Sequence, residues 1–161
     1  MSAAGYRRLK LSLELVPRTS WYDNLRTHIS NEDWDKIRRR THAKYKYRCA
    51  ICGAKGRLNC HEIWEYYDKE RIQRLVGFAA LCDLCDRVTH IDLAGVRASE
   101  GNLDYEKTVE HFMKVNECDR RTFERHREDA FRKWGKRSKH EWTVDLGQYK
   151  TMVDAADMTD G

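Results

Sequence analysis

The sequence predicts an α+β chain: a metal-stapled central module, helices on either side of it, and a small two-stranded sheet joining the two ends. Three observations predict this. Two C-x-x-C pairs, Cys49/Cys52 and Cys82/Cys85, bracket a stretch that reads as a hairpin. Leu9, Leu11, Leu13 and Leu15 alternate with polar residues near one end, as Trp142, Val144 and Leu146 do near the other, and period-two alternation marks a strand with one buried face. The segments between carry apolar residues at helical spacing.

In chain order, Leu9–Leu15 is a strand ended by Pro17. Ser20 can cap a short helix carrying Trp21, Leu25 and Ile29. Ser30 or Asn31 caps a longer one, with Glu32 and Asp33 in its first turn. On that helix Trp34, Ile37, Thr41 and Tyr45 share a face, while Arg38, Arg39, Arg40 and Lys44 lie mostly off it. Cys49–Gly56 is a tight Cys-Gly turn. Leu58–Tyr66 is a strand and Arg71–Leu81 its return, with Asp68 and Lys69 in the turn. Cys82–Asp92 is a short helix with Gly95 near its end. Asn102 or Asp104 starts another helix, burying Val109, Phe112 and Met113. Asp119 caps the next, with Phe123, Ala130, Phe131 and Trp134 inward and Gly135 as its stop. Glu141–Leu146 is the last strand, and its simplest partner is Leu9–Leu15. Residues 1–150 thus read as one domain with the metal module at about 46–95, and 151–161 as a loose tail.

The 161 residues are enough for one domain with a modest core. Charged residues make up 35%, above the usual quarter or so, and the net charge is +5. The basic residues are clustered. Lys36 to Arg57 holds nine Lys or Arg and no acid, and Arg120 to Lys139 holds nine against three. Such clusters suit a polyanion, through phosphate contacts and counterion release. Two solvated helix faces are the plainer reading. One cluster leads directly into the metal module, which favours nucleic acid, DNA in the first instance, with Arg38, Arg39, Arg40, Lys44 and Lys46 on the backbone. Met1 to Arg8 lacks an apolar run and no stretch has the length of a membrane span, so the expectation is a cytoplasmic chain without a membrane partner. In that reducing setting four thiols in two C-x-x-C pairs fit zinc better than disulfides. Cys49, Cys52, Cys82 and Cys85 supply a tetrahedral set for structural Zn2+, and buried or redox thiols are the competing use.

The residues around the thiols carry a resemblance. Cys49-Ala50-Ile51-Cys52, then Leu58-Asn59-Cys60-His61, then Leu81-Cys82-Asp83-Leu84-Cys85-Asp86-Arg87-Val88-Thr89-His90, resemble an HNH endonuclease of the zinc-bound type. The resemblance covers residues 46 to 95. It implies a ββα-metal fold, in which a hairpin and a helix clamp one divalent ion. It also implies His61 as general base on water, and a catalytic ion (Mg2+, Mn2+, Ni2+ or Zn2+) held by Cys60, Asp86 and His90. Cys60 stands where the family commonly has an acid or His, and Asp86 where it usually has His. The Asn that orients the base falls on Gly77, and Gln73 or Glu62 could take its place.

Each residue also has a plainer use. His61 can be a polar residue at a strand end, Asp86 a solvated or capping acid, His90 a spare ligand for the structural zinc, and Cys60 a small buried side chain. Cys118 reads as filler, and Trp64 and Tyr66 as core, while Tyr67 could reach a substrate. The expected function is metal-dependent hydrolysis of phosphodiester bonds in DNA. The alternative is a degenerate module that binds nucleic acid or a protein partner without cleaving; a redox or metal-storage role fits the long fixed spacing poorly.

Overall fold

The computed structural model describes residues 8–91 and 103–152, and these form a mixed α+β fold. The elements are α1 (Leu25–His28), α2 (Asn31–Lys44), β1 (Leu58–Tyr67), β2 (Ile72–Cys82), α3 (Asp83–Thr89), α4 (Leu103–Asn116), α5 (Arg120–Arg137) and β3 (Thr143–Asp145). Single 3-10 turns lie at Arg18–Ser20 and Gly147–Tyr149. None of the described helices is long and apolar enough to cross a membrane.

The sheet has the order β1-β2-β3. β1 and β2 form the expected hairpin, antiparallel from Leu58↔Cys82 to Tyr67↔Ile72. Ile63 pairs with Gly77 and Trp64 with Leu75, so Val76 is one extra residue on β2. Side chains alternate across a regular strand, and a bulge resets that alternation. Leu75 and Phe78, three apart, therefore share one core cluster.

Helices cover both faces. On one, α1 and α2 bring Leu25, Ile29, Trp34 and Ile37 onto Leu75 and Phe78. On the other, Ala79 and Leu81 meet Cys85 and Val88 of α3, Val109 and Phe112 of α4, and Phe123 of α5. Leu11, Leu13 and Leu15 join this second cluster, so the alternation at the N-terminal end did mark a buried edge.

The pairing of that edge is different from the one expected. Residues 9–15 form no strand: the chain bends at Lys10 and Leu11 and makes no ladder with residues 141–146. The segment's backbone groups are taken up by side chains, which offer the same hydrogen bonds as a neighbouring strand. Asn116 Oδ1 accepts from the Lys10 N–H (2.8 Å) and the Leu11 N–H (3.0 Å), and its Nδ2 donates to the Leu11 carbonyl (2.8 Å). The Leu13 N–H donates to His126 Nε2 (2.9 Å), and Trp134 Nε1 donates to the Val16 carbonyl (3.0 Å). The Glu14 N–H reaches the Thr89 carbonyl at the end of α3 (2.9 Å). The C-terminal strand instead adds to the hairpin. β3 runs parallel to β2 over Ile72–Arg74, the parallel direction being open to it because α3 to α5 supply the long crossover. Arg74 Nε donates to Asp145 Oδ2 (2.8 Å) across this pair.

Smaller differences have local causes. Asn24 caps α1, its side chain accepting from the Thr27 N–H; Ser20 lies in the preceding 3-10 turn, where its hydroxyl donates to Gln73 Oε1 (2.7 Å). Ser30 caps α2 and Asp119 caps α5, as their sequences indicate. Gly135 does not stop α5, which runs to Arg137. The turn beyond the glycine is held by tertiary contacts: Arg137 makes a two-pronged contact with Asp68 (2.8 and 3.0 Å) and lies over the Tyr66 ring, 4.4 Å from its centroid. Residue 92, Gly95 and Asn102 lie outside the described residues, as does most of the expected tail. Met152 is described, and it packs on the α1–α2 cluster rather than hanging loose.

Candidate metal and catalytic site

The first cluster comprises the four thiols. The Cys49–Gly53 turn folds back on itself: the Gly53 N–H donates to the Cys49 carbonyl (3.0 Å), and the Cys49 N–H to the Ala54 carbonyl (2.9 Å). Gly53 has φ +76°, a left-handed backbone that a side chain would strain. The Ala50 N–H donates to the Ala80 carbonyl (2.8 Å), which docks this turn on β2. Cys82 ends β2 and caps α3, and Cys85 lies one turn on, so strand and helix deliver their pair together.

The four sulfurs lie within 4.8 Å of one another and could hold a metal ion such as zinc. Cys52 Sγ and Cys82 Sγ are 3.6 Å apart. A tetrahedron with Zn–S bonds of about 2.3 Å has edges of about 3.8 Å, so the spacing fits. Burial raises the Cys82 thiol to about 11 and pushes Cys85 far up, with the negative charge of neighbouring sulfurs adding to both. Burial acts on Cys49 too, yet hydrogen bonds from the Cys52, Cys82 and Ile51 backbone outweigh it and bring that thiol down to about 7. Backbone N–H groups aimed at a sulfur favour the thiolate, the form that binds metal. His111 Nε2 on α4 lies 3.1 Å from Cys85 Sγ, a ring contact that the spacing of the cysteines gave no sign of.

The second cluster comprises His61, Asp86 and His90, whose ligand atoms also lie within 4.8 Å of one another. β1 places His61 on its α3 face, with the ring buried at 8% exposure. Asp86 and His90 are four apart on and just beyond α3, so they share a face. The His61 and His90 rings meet edge to face, centroids 5.1 Å apart. His90 Nδ1 is surrounded by oxygens: the Asp86 carbonyl at 2.9 Å, Asp86 Oδ1 at 3.2 Å and Thr89 Oγ1 at 3.1 Å. The Thr89 hydroxyl proton is committed to the Asp86 carbonyl (2.8 Å), so Nδ1 is the donor, and in the neutral ring Nε2 carries the lone pair. The Asp86 carboxylate is the main reason that His90 is raised above its ordinary value, against the effect of burial.

Cys60 is not part of this cluster. Adjacent residues of a strand face opposite sides, so Cys60 turns to the α1–α2 face while His61 turns to α3. Burial raises its thiol, and Thr41 of α2 is the side chain that bonds to it. Glu62, also on the far side in effect, accepts from the Arg26 N–H (3.3 Å), and burial raises its carboxyl. Gln73 is fully buried beside Ser20, its Nε2 without a partner. Gly77 faces Ile63 in the ladder and brings no side chain. None of these reaches the His61 ring. Glu14 does, with Oε2 2.5 Å from His61 Nε2. It comes from the N-terminal segment, 47 residues away in sequence.

Both sides of the sheet edge open on one groove of about 1070 Å³, and His61, Asp86 and His90 line it with Glu14. Arg26, Arg38 and Arg57 border it on one side and Lys133 and Arg137 on the other, with Asp23, Asp35 and Asp129 among them. Of the five basic residues expected on a nucleic-acid backbone, only Arg38 borders the groove, and it also contacts Asp35 at 3.4 Å. Arg39, Arg40, Lys44 and Lys46 are exposed elsewhere on and after α2. Tyr67 is occupied at the hairpin turn, its hydroxyl donating to Glu65 (2.8 Å). Compared with protein-family models, curated proteins and solved structures, the chain matches none.

Proposed function

We propose that the chain is a metal-dependent endonuclease of the HNH type, hydrolysing phosphodiester bonds in DNA from a ββα-metal module stapled by Zn2+ on Cys49, Cys52, Cys82 and Cys85. The observation that carries this reading is the convergence of His61, Asp86 and His90 at one point, from the first strand of a hairpin and the helix that follows it. None of the three belongs to the thiol set.

Cleavage of a phosphodiester needs a base for the attacking water and positive charge for the developing anion. His61 is the base. Its burial on the groove wall keeps bulk water from competing for the nitrogen, while the groove leaves room for the phosphate. Asp86 and His90 offer a carboxylate and an imidazole, a set that suits Mg2+, Mn2+, Ni2+ or Zn2+. An ion held there would stabilise the negative charge of the phosphorane and of the leaving 3′ oxygen. Arg38, Arg57, Lys133 and Arg137 along the groove would meet neighbouring phosphates.

The test is plasmid nicking. Supercoiled DNA is incubated with the zinc-loaded chain and Mg2+, Mn2+ or Ni2+, beside His61→Ala. Nicking that needs the added ion and vanishes in the variant is the expected result. Retardation of the plasmid without cleavage, equal in both proteins, would replace this reading with a DNA-binding module.

A further inference from the structure

We infer that Glu14 is the positioning residue of the polar cluster. It fixes His61 with the proton on Nε2, so that Nδ1 is left as the nitrogen able to take a proton from water. The role of Nδ1 rests on the nuclease reading; the pairing of Glu14 with His61 does not.

The chemistry of the contact sets the tautomer. Glu14 Oε2 lies 2.5 Å from His61 Nε2, and a carboxylate only accepts, so Nε2 is the donor. A neutral imidazole with Nε2 protonated has its lone pair on Nδ1. The ring itself is held by burial, and the His90 ring stands against it edge to face.

Glu14 is delivered by its segment. Leu13 and Leu15 are buried in the core, while Glu14 between them is exposed and lines the groove. The backbone on either side is fixed: the Leu13 N–H on His126, the Val16 carbonyl on Trp134, Lys10 and Leu11 on Asn116. The Glu14 N–H is bonded to the Thr89 carbonyl, next to His90. One short segment therefore sets its register against the very turn that carries His90, and places its carboxylate on His61. The Glu14 side chain is 44% exposed, so replacing it leaves no buried void.

The test reads the ring before it reads activity. In nitrogen-15 NMR of the zinc-loaded full chain without added divalent ion, His61 should show an exchange-protected, downfield Nε2–H proton, assigned by its loss in His61→Ala. Glu14→Ala should lose this signal. Glu14→Gln, which keeps the shape and an acceptor oxygen, should retain it at a shifted position, and it carries the comparison if the alanine variant folds poorly. In the nicking assay Glu14→Ala should lower kcat about 10- to 100-fold at unchanged KM, a part of the roughly 10²- to 10⁴-fold that a positioned general base contributes. Glu14→Gln should recover part of that loss. An Nδ1-protonated His61 in the native chain, or an Nε2–H signal unchanged in Glu14→Ala, overturns the inference. So does a kcat equal to the native one. If the native chain cuts no DNA, the nuclease reading fails, and the His61 signal still decides whether Glu14 sets the ring.

Discussion

Asn116→Ala tests how the N-terminal segment is held. The native amide closes three hydrogen bonds onto Lys10 and Leu11. The Leu11 bonds are buried, whereas the Lys10 N–H is only partly so and can turn to water. A buried backbone group left without a partner costs about 1–3 kcal/mol. Two such groups give a loss of about 2–6 kcal/mol, a large part of the roughly 5–15 kcal/mol that holds a domain together. The assay is urea unfolding of the zinc-loaded full chain, with the slope expected to stay constant while the midpoint falls. Asn116→Asp keeps the acceptor and loses the donor, so it should fall between the two. Hydrogen exchange at Leu11 and Leu13 should quicken in step. A loss below about 1 kcal/mol for Asn116→Ala would refute the reasoning, and would mean that leucine burial alone seats the segment.

Further outcomes follow from other contacts. With zinc at the four thiols as proposed, chelation should unfold the central module, since binding free energies of about 10 kcal/mol or more are typical of structural zinc; zinc release and loss of near-ultraviolet circular dichroism should coincide. His126 is half-buried, and that burial lowers it below its ordinary value, so the unfolded chain binds the proton more readily. Its contribution is full above its unfolded value of about 6.5 and is lost as pH falls through the folded one; between pH 7.5 and 5.5, stability should drop more steeply in the native chain than in His126→Gln. Gly147 has φ +57°, and an added Cβ would lie 3.2 Å from the Leu75 carbonyl oxygen, so Gly147→Ala should destabilise by about 1–2 kcal/mol in thermal melts.

Much of the metal module was legible because its signals are local. A C-x-x-C-G turn, two strands of matching length and a cysteine-capped helix can each be read within a dozen residues. The helix caps at Ser30 and Asp119 belong to the same class. The partner of Leu9–Leu15 was not legible. Alternation reveals which face is buried, yet it is silent on whether a strand or a row of side chains takes the backbone, and Asn116, His126 and Trp134 lie over a hundred residues away. Glu14 was hidden for the same reason. The wrong placement of Cys60 had a signal available: two neighbours on a strand point to opposite faces, so Cys60 could not join Asp86 and His90 on the side where His61 stands as base.

The seven residues of α3 are too few to hold a helix in water by themselves. Its inner side carries Cys85 and Val88, and its outer side carries Asp86 and leads to His90. The two clusters are thereby coupled through one short helix. Whatever shifts Cys82 and Cys85 shifts Asp86 and His90 with them, and the Thr89 carbonyl bonded to the Glu14 N–H ties the same turn to the N-terminal segment. A change at either cluster would therefore be felt at the other, across a single short helix.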